Sequence, residues 1–315
     1  MPQRRILSLW FPRLAAERLL RDAPELAETP LAIVAETGST QTIASLSALA
    51  SAKDVRRGMS VADARALCPL LMTRTAMPHR EAMFLASLRR WAGRYSPWVA
   101  TEGHEALALD ITGCAHLFGG EEALAARIDA DCDTFRLTHR IGIADTPGAA
   151  WAVARYAGQP GLADRSGDAI DQEARATRSR AAKRGKWQRV ELRPGDISAP
   201  RIAPAGRTRQ VLAPLPVAAL RLPEGAIATL DRLGLRSIGD LEGAARAPLT
   251  RRFGPELLHR LDQALGRQPE QITPLAEPPH YGVRMTLPDP IGLFDDVMAG
   301  TARLLDQLCA KLKAQ

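Results

Sequence analysis

The sequence predicts a multi-domain α+β protein. Its 315 residues exceed the size of one ordinary hydrophobic core. The first half alternates short apolar strands with amphipathic helices, and the second half contains short helices separated by small turns. Hydrophobic residues make up 46% of the chain and charged residues 24%. These values are typical of a globular protein and exclude disorder of the whole chain.

The first half predicts a split βαββαβ domain with a small α/β lobe inserted after its first helix. Residues 4–11 read as a buried strand, and Pro12 begins a helix because proline fits the first helical turn. The lobe holds a strand at 31–35 and a helix at 61–68. The remaining elements are a helix at 80–94, strands at 98–103 and 106–112, a helix at 121–135, a strand at 139–144 and a helix after Pro147. We expect the helices to cover one face of the sheet.

The second half is predicted to contain three segments. Residues 159–213 lack apolar periodicity and are rich in Arg, Gly, Ala and Pro, which indicates a mobile linker. Residues 214–275 contain short helices of the helix-hairpin-helix kind. Residues 280–315 contain a possible strand start and a long amphipathic helix. One strand and one helix cannot enclose a core, so we expect an incomplete further domain or a piece that docks on the rest.

Positive charge is concentrated in one part of the chain. The formal net charge is +7, but residues 175–209 hold eleven basic side chains and two acids. A basic block on a nearly neutral body indicates a polyanionic partner, with nucleic acid as the first candidate. The alternative is a solvated loop that carries arginine for solubility. The candidate DNA-binding residues of this block are Arg178, Arg180, Lys183, Arg184 and Lys186.

Several classes of protein are excluded by the sequence. No apolar run approaches the roughly 20 residues that a membrane-spanning helix needs, and the N-terminal apolar stretch is too short for a signal peptide. We therefore expect a soluble, cytoplasmic protein without a membrane partner. The four cysteines are far apart and form no CxxC pair, so their spacing indicates neither a disulfide framework nor a zinc site.

Four motifs, in order, resemble those of the Y-family (translesion) DNA polymerases over about 250 residues. They are SLWFPRLAAE (Ser8–Glu17), ALASAKDVRRGMSVADARALCP (Ala48–Pro69), EALALDITG (Glu105–Gly113) and GIADTPGAAWAVA (Gly142–Ala154). The resemblance implies a palm at 1–25 and 76–158, fingers at 26–75, a basic linker at 159–213, a helix-hairpin-helix thumb at 214–275 and the start of a little-finger domain at 280–315.

The positions that carry chemistry in this family have changed here. The family binds two Mg²⁺ ions with clustered carboxylates, and the matching positions are Ser8, Glu105 and Ala106. The Tyr and Arg directed at the triphosphate correspond to Ala48 and Ser51. A lysine of the later segment corresponds to Trp151, and the aromatic sugar gate corresponds to Arg13. The resemblance therefore implies a protein without catalytic residues and without a metal or nucleotide cofactor.

This combination resembles the ImuB branch of the Y-family, and LDITGCAHLFGGEEAL (Leu109–Leu124) is its most specific segment. Members of the branch are noncatalytic bridges in damage-induced mutagenesis. The resemblance implies DNA, ImuA, an error-prone DnaE-type polymerase, the sliding clamp and RecA as partners. In the predicted thumb, the turn LPEG has only Gly225 beside Glu224, whereas Arg232, Arg236, Arg251 and Arg252 are candidate phosphate contacts.

Alternatives remain open on the sequence alone. The chain could be an active translesion polymerase with a metal site rebuilt around Glu105 and Glu102, or a simple helix-hairpin-helix DNA-binding module. Asp110 lies five positions from Glu105 on a strand, so we expect it to cap the LDITG turn. Cys114 and His116 are two ligands without a second pair, which favours packing of a tight loop.

Overall fold

In a computed structural model the chain divides into two units, Met1–Pro274 and Leu275–Gln315. The structure describes residues 4–37, 40–158, 201–274, 282–286 and 292–313. Two sheets form in the first unit. The strands are β1 Ile6–Trp10, β2 Leu31–Thr37, β3 Thr40–Leu46, β4 Met72–Thr75, β5 Val99–Glu102, β6 Ala106–Asp110, β7 Arg140–Ala144 and β8 Arg201–Ile202.

The central sheet has the strand order β5-β6-β1-β7-β8. β1 lies in the middle and is antiparallel to both β6 and β7, while β8 is parallel to β7. The helices of this part are α1 Leu14–Asp22, α4 Pro78–Ala92, α5 Glu121–Thr134 and α6 Pro147–Tyr156. Within this sheet, β1, β5, β6 and β7 follow one another along the chain in the order of the predicted βαββαβ domain.

Each face of the central sheet is covered by helices, which differs from the prediction of a single covered face. Leu7 and Leu9 of β1 pack in a core with Leu85 of α4 and Leu124 of α5. Ile6, on the alternate face, packs with the alanines of α6 and with later helices.

Gly142 of β7 is the reason that α6 lies so close to the second face. A Cβ atom there would lie 2.3 Å from the backbone N of Ala154 and 2.4 Å from the carbonyl O of Ala150. The missing side chain therefore lets the α6 backbone rest directly on the strand. Periodicity within β7 could not show this contact, since it depends on a helix that follows the strand.

The small lobe, residues 31–75, is a three-stranded sheet of order β3-β2-β4 with the short helices α2 Ala48–Ser51 and α3 Val61–Leu67. Ser47 and Ser60 cap these helices, accepting hydrogen bonds from the backbone N of Ala50 and of Asp63. The lobe has its own core of buried apolar side chains, including Ile43 and Val55. It contacts α1, where Ser45 Oγ lies 3.4 Å from the backbone N of Ala16.

The helical segment, residues 208–264, contains α7 Thr208–Leu212, α8 Glu224–Arg232, α9 Ile238–Gly243, α10 Arg246–Phe253 and α11 Pro255–Ala264. Its buried leucines share one continuous core with α6. The segment is therefore attached to the second face of the central sheet through α6.

The end of the predicted linker is regular structure, which corrects the expectation of an irregular segment to residue 213. β8 extends the central sheet, and the backbone N of Ala203 donates to the carbonyl O of Ile143 at 2.8 Å. Arg5 Nη2 donates to the carbonyl O of Ala203, and Thr208 Oγ1 donates to Asp145. Contacts from distant parts of the sequence hold this short strand, so local composition did not reveal it. Residues 159–200 lie outside the described residues.

The second unit contains α12 Phe294–Lys313, in agreement with the predicted C-terminal amphipathic helix. Residues 282–286, part of the predicted strand start, are not in a strand. Among the described helices, none combines the length and the apolar character needed to cross a membrane.

Candidate functional site

The three positions predicted as remnants of a metal site lie on β1 and at the start of β6, two adjacent strands of the central sheet. Ser8 is in the middle of β1 and only 1% exposed, and Ala106 begins β6 and is fully buried. The β1–β6 register pairs Trp10 with Ala106 and Ser8 with Ala108, so these side chains share one face. Glu105 directly precedes β6, and its carbonyl O accepts from the backbone N of Phe11 at 2.8 Å.

Glu105 is bound by an arginine of the small lobe. Arg57 Nη1 lies 2.8 Å from Oε2 and 3.0 Å from Oε1 of Glu105. The indole Nε1 of Trp10 donates to Oε1 at 3.0 Å. Both carboxylate oxygens therefore have a hydrogen-bond donor, and the positive charge of Arg57 compensates the negative charge of Glu105.

Glu102, at the end of β5, is the second carboxylate near these positions. Its Oε2 accepts from Ser8 Oγ at 3.3 Å, and its Oε1 lies 3.3 Å from Nη1 of Arg221. Burial raises the pKa of the Glu102 carboxyl above its ordinary value of 4.5, although the positive charges of Arg155 and Arg221 oppose that rise. Glu102 is therefore costly to keep charged and depends on its arginine neighbours.

Arg155 lies at the centre of the site. Its guanidinium carbon lies 4.3 Å from the ring centroid of Trp151 and 5.0 Å from that of Trp10, within the range of cation–π contacts. Burial lowers the pKa of Arg155 to about 10, while the charges of Glu102 and Glu105 act in the opposite direction. The side chain therefore remains positively charged at neutral pH.

Arg221 closes the site from the helical segment. Its Nη2 binds both carboxylate oxygens of Glu270, at 2.6 and 2.9 Å, and its guanidinium carbon lies 5.9 Å from the ring centroid of Trp151. Gly148 of α6 makes room for this pair, because a Cβ atom there would lie 3.0 Å from Nη2 of Arg221. We call the assembled group the arginine–tryptophan cluster. Its members are Trp10, Arg57, Glu102, Glu105, Trp151, Arg155, Arg221 and Glu270.

The residues at this site do not fit a two-metal centre. Such a centre needs several carboxylates free to converge on two close cations. Ser8 and Ala106 carry no charge, and all three glutamates of the cluster are paired with arginine, Glu105 with Arg57 and both Glu102 and Glu270 with Arg221. Within the described ranges, no three His, Cys, Asp or Glu side chains come together as a metal site requires.

The predicted nucleotide-clamp positions lie on different elements of the fold. Trp151 is in the cluster, but Ala48 and Ser51 lie on the short helix α2 of the small lobe. Arg13 is buried beside α1, where its Nη1 lies 3.4 Å from Thr138 Oγ1. The predicted sugar-gate residue is thus directed into packing at the start of α1 rather than into the cluster.

The predicted DNA-binding residues of the helical segment are largely exposed. Arg232 and Arg236 lie at the end of α8 and in the turn after it, and Arg236 pairs with Asp231 at 3.1 Å. Arg251 and Arg252 are exposed in the last turn of α10.

Gly225 lies in a helix rather than in the predicted hairpin turn. Gly225 lies in the first turn of α8, and a Cβ atom there would meet nothing within 4 Å. The left-handed residue of the preceding turn is Arg221, with φ 59°. The five basic residues Arg178, Arg180, Lys183, Arg184 and Lys186 lie outside the described residues.

Two further expectations concern single residues. Asp110 Oδ1 accepts from the backbone N of Thr112 at 3.0 Å, as expected for a residue that caps the turn, and its Oδ2 pairs with Arg4. Cys114 Sγ lies 3.9 Å from the carbonyl O of Thr112, a contact within the same tight loop.

Sequence reasoning missed the arginines of the cluster. Arg57 lies in the fingers-like motif Ala48–Pro69, but its partner Glu105 lies in another motif. Arg155 follows Trp151 by four positions on α6, a spacing that places both on one helix face and was a usable signal. Arg221 had no signal, since a left-handed conformation is uncommon for arginine.

The chain is similar in sequence to one protein family and to curated relatives. Residues 9–155 match the model of the impB/mucB/samB family. Over 258 residues the chain is 36% identical to Protein ImuB of Caulobacter vibrioides, in both strain NA1000 / CB15N and strain ATCC 19089 / CIP 103742 / CB 15. The match covers 82% of this chain and 48% of the relatives, so the chain spans about half the length of the curated relatives it matches.

Solved structures share the fold at low identity. DinB from Sulfolobus solfataricus is 15% identical with a TM-score of 0.57, covering 85% of this chain and 69% of that one. An insertion ternary complex of Dbh DNA polymerase is 14% identical with a TM-score of 0.59 and the same coverage. A DinB family error-prone DNA polymerase from Sulfolobus solfataricus is 15% identical with a TM-score of 0.60, covering 98% and 79%.

Proposed function

We propose that the protein is a noncatalytic, DNA-binding scaffold in damage-induced mutagenesis, and the match of residues 9–155 to the impB/mucB/samB family supports this proposal. The resemblance to the Y-family and its ImuB branch is confirmed by the family match and the 36% identity to ImuB. The α+β fold of the Y-family polymerases is confirmed as well.

The observation that carries the noncatalytic part of this proposal is the pairing of the carboxylates with arginines. Glu105 is held by Arg57, and Glu102 by Arg221, at the place where the family resemblance puts the metal ligands. A divalent cation would have to displace these arginines and would find neutral Ser8 and Ala106 in place of further ligands. Two Mg²⁺ ions need more negative charge than carboxylates already compensated by arginines provide.

Loss of the triphosphate-binding groups supports the same proposal. Phosphoryl transfer depends on cations positioned against the phosphates. Ala48 and Ser51 carry no charge, and Trp151 packs against Arg155. Arg155 is positive but buried between two indoles, which leaves it little room to contact a phosphate.

DNA binding is the positive half of the proposal. Exposed arginines of the helical segment and the basic block at 175–209 are suited to phosphate contacts that do not depend on sequence. Each phosphate contact releases counterions and adds about 0.9 to the slope of log affinity against log salt for duplex DNA. We therefore expect weak, sequence-insensitive and strongly salt-dependent binding in the cytoplasm.

A pair of matched variants tests where DNA binds. In Arg251→Ser/Arg252→Ser, two exposed charges are removed from α10, and we expect the salt slope to fall by up to about 2. The control Arg80→Ser/Arg90→Ser removes two exposed charges from α4, which packs on the other face of the central sheet. Fluorescence anisotropy of a labelled duplex at several salt concentrations measures both slopes. Equal slopes for wild type and the α10 variant contradict a role of the helical segment.

The basic block is tested in the same way. Removing the five charges at Arg178, Arg180, Lys183, Arg184 and Lys186 should flatten the salt slope more than the α10 variant does, because more phosphate contacts are lost. An unchanged slope would identify the block as a solvated segment. We expect no preference between primer-template and plain duplex from a scaffold that does not bind a primer terminus, and this comparison also separates it from a polymerase with a rebuilt site.

Partner recruitment completes the proposal. By resemblance to ImuB, the expected partners are ImuA, an error-prone DnaE-type polymerase, the sliding clamp and RecA. A pull-down with the full-length chain tests this recruitment. Recovery of none of the four by the full-length chain would leave the DNA-binding module as the better description.

A further inference from the structure

The arginine–tryptophan cluster connects parts of the fold that are far apart in sequence. Arg57 belongs to the small lobe, Trp10 and Glu105 to the central sheet, Trp151 to α6, and Arg221 to the turn before α8. Every link is a direct contact. The lobe reaches the sheet through Arg57–Glu105, the sheet reaches α6 through stacking on Arg155, and α6 reaches the turn through the Trp151–Arg221 contact.

The contacts along this route are hydrogen bonds and cation–π contacts, whose strength depends on distance and orientation. Trp10 both donates its indole N–H to Glu105 and stacks on Arg155, so it transmits a displacement of the carboxylate to the guanidinium. Trp151 is contacted by Arg155 at 4.3 Å and by Arg221 at 5.9 Å. Buried networks of this type respond as a unit when one member is removed, since the remaining charges lose compensation.

Electrostatic interactions provide a second connection between Arg57 in the small lobe and Arg221 in the helical segment. Glu102 forms an ion pair with Arg221. Arg155 interacts electrostatically with both Glu102 and Glu105. Removing Arg57 takes away the charge that is paired with Glu105, and Arg155 is a buried cation that also interacts with Glu105. A displacement of Arg155 would alter its contact with Trp151.

We propose that the arginine–tryptophan cluster is a mechanical link that couples the small lobe to the helical segment, so that loosening one end loosens the other. Arg57 and Arg221 are joined through four intervening side chains, which are Glu105, Trp10, Arg155 and Trp151. This inference concerns the fold itself and does not depend on whether the protein binds DNA. A contiguous network is a candidate route, and coupling has to be measured.

Amide hydrogen exchange on the full chain tests this link at both ends. The lobe reporters are the amides of Gly58 and Ile43, which donate to the carbonyl O of Ile43 and of Met59. The reporter in the helical segment is the amide of Val217, which donates to the carbonyl O of Arg236 at 2.9 Å. Exchange through local opening reports the stability of each region separately.

Two substitutions perturb the link from opposite ends. We expect Arg57→Gln to speed exchange at Val217 at least threefold, and Arg221→Gln to speed exchange at Ile43 at least threefold. Coupling between two sites is reciprocal, so both effects must appear. Glu105→Gln, which leaves Arg57 in place, repeats the test if Arg57→Gln does not fold cooperatively.

Neighbouring arginines provide the matched controls. Arg56→Gln removes a half-buried charge from the same loop, where Arg56 pairs with Asp54 at 3.5 Å. Arg209→Gln removes an exposed charge from the helical segment, where Arg209 pairs with Glu242 at 2.9 Å. Both controls should change exchange only near the substitution. Purely local changes in Arg57→Gln and Arg221→Gln as well would overturn the proposed link.

Discussion

Placing a carboxylate at Ser8 should destabilise the protein through repulsion with Glu102. Ser8 Oγ lies 3.3 Å from Oε2 of Glu102, and both side chains are mostly buried. Two like charges at that distance repel by about 5 kcal/mol at an effective dielectric constant of about 20. Side-chain movement and the charges of Arg155 and Arg221 relieve part of this. We expect Ser8→Asp to lower the free energy of unfolding by about 2–4 kcal/mol at pH 7.5.

The matched control is Ser8→Asn, because the asparagine side chain has nearly the same shape as aspartate but carries no charge. Urea denaturation of both variants should show a gap at pH 7.5 that closes as the pH falls, because one of the two neighbouring carboxyls becomes protonated. Equal stability of Ser8→Asp and Ser8→Asn at pH 7.5 would refute this description of the site. The same gap should persist in millimolar Mg²⁺, since the cluster does not offer the further ligands that a divalent cation needs.

Two further predictions concern packing and pH. Gly142→Ala should cost at least about 3 kcal/mol in urea denaturation, because the new Cβ would lie 2.3 Å from the backbone N of Ala154; Gly225→Ala, with nothing within 4 Å, should be neutral or slightly stabilising. Glu102→Gln should gain stability relative to wild type as the pH rises from about 4.5, because the raised pKa of Glu102 makes wild-type stability fall through that window. A gain that shrinks with rising pH would contradict the assigned cost of burying the Glu102 charge.

Strongly periodic elements could be predicted from the sequence. All five residues of β1 are buried and belong to one apolar run, and α5 follows two glycines as expected. β1 ends at Trp10 and α1 begins at Leu14, close to the predicted change at Pro12. These features are local, so local patterns were sufficient to find them.

Contacts between distant segments could not be predicted in the same way. β8 has two residues and is held by Arg5 and by β7, neither of which is near it in sequence. α6 covers a second face of the sheet because Gly142 lacks a side chain, a reason that becomes visible only with both elements in place.

The chemistry of the site could be predicted in part from the sequence. The residue types at Ser8 and Ala106 already showed that carboxylates were missing. The arginines that bind the remaining glutamates, Arg57 and Arg221, come from the small lobe and from the turn before α8, so their convergence depends on the tertiary fold.

Primer extension by the unmodified protein tests the central claim most directly. The assay uses a primer-template, all four nucleoside triphosphates and Mg²⁺ or Mn²⁺, with Glu105→Ala and Glu102→Ala as matched variants. We predict that wild type and both variants give the same background, because the two glutamates serve as partners of Arg57 and Arg221. Extension by the wild type that disappears in Glu105→Ala would contradict the noncatalytic scaffold and establish a rebuilt metal site.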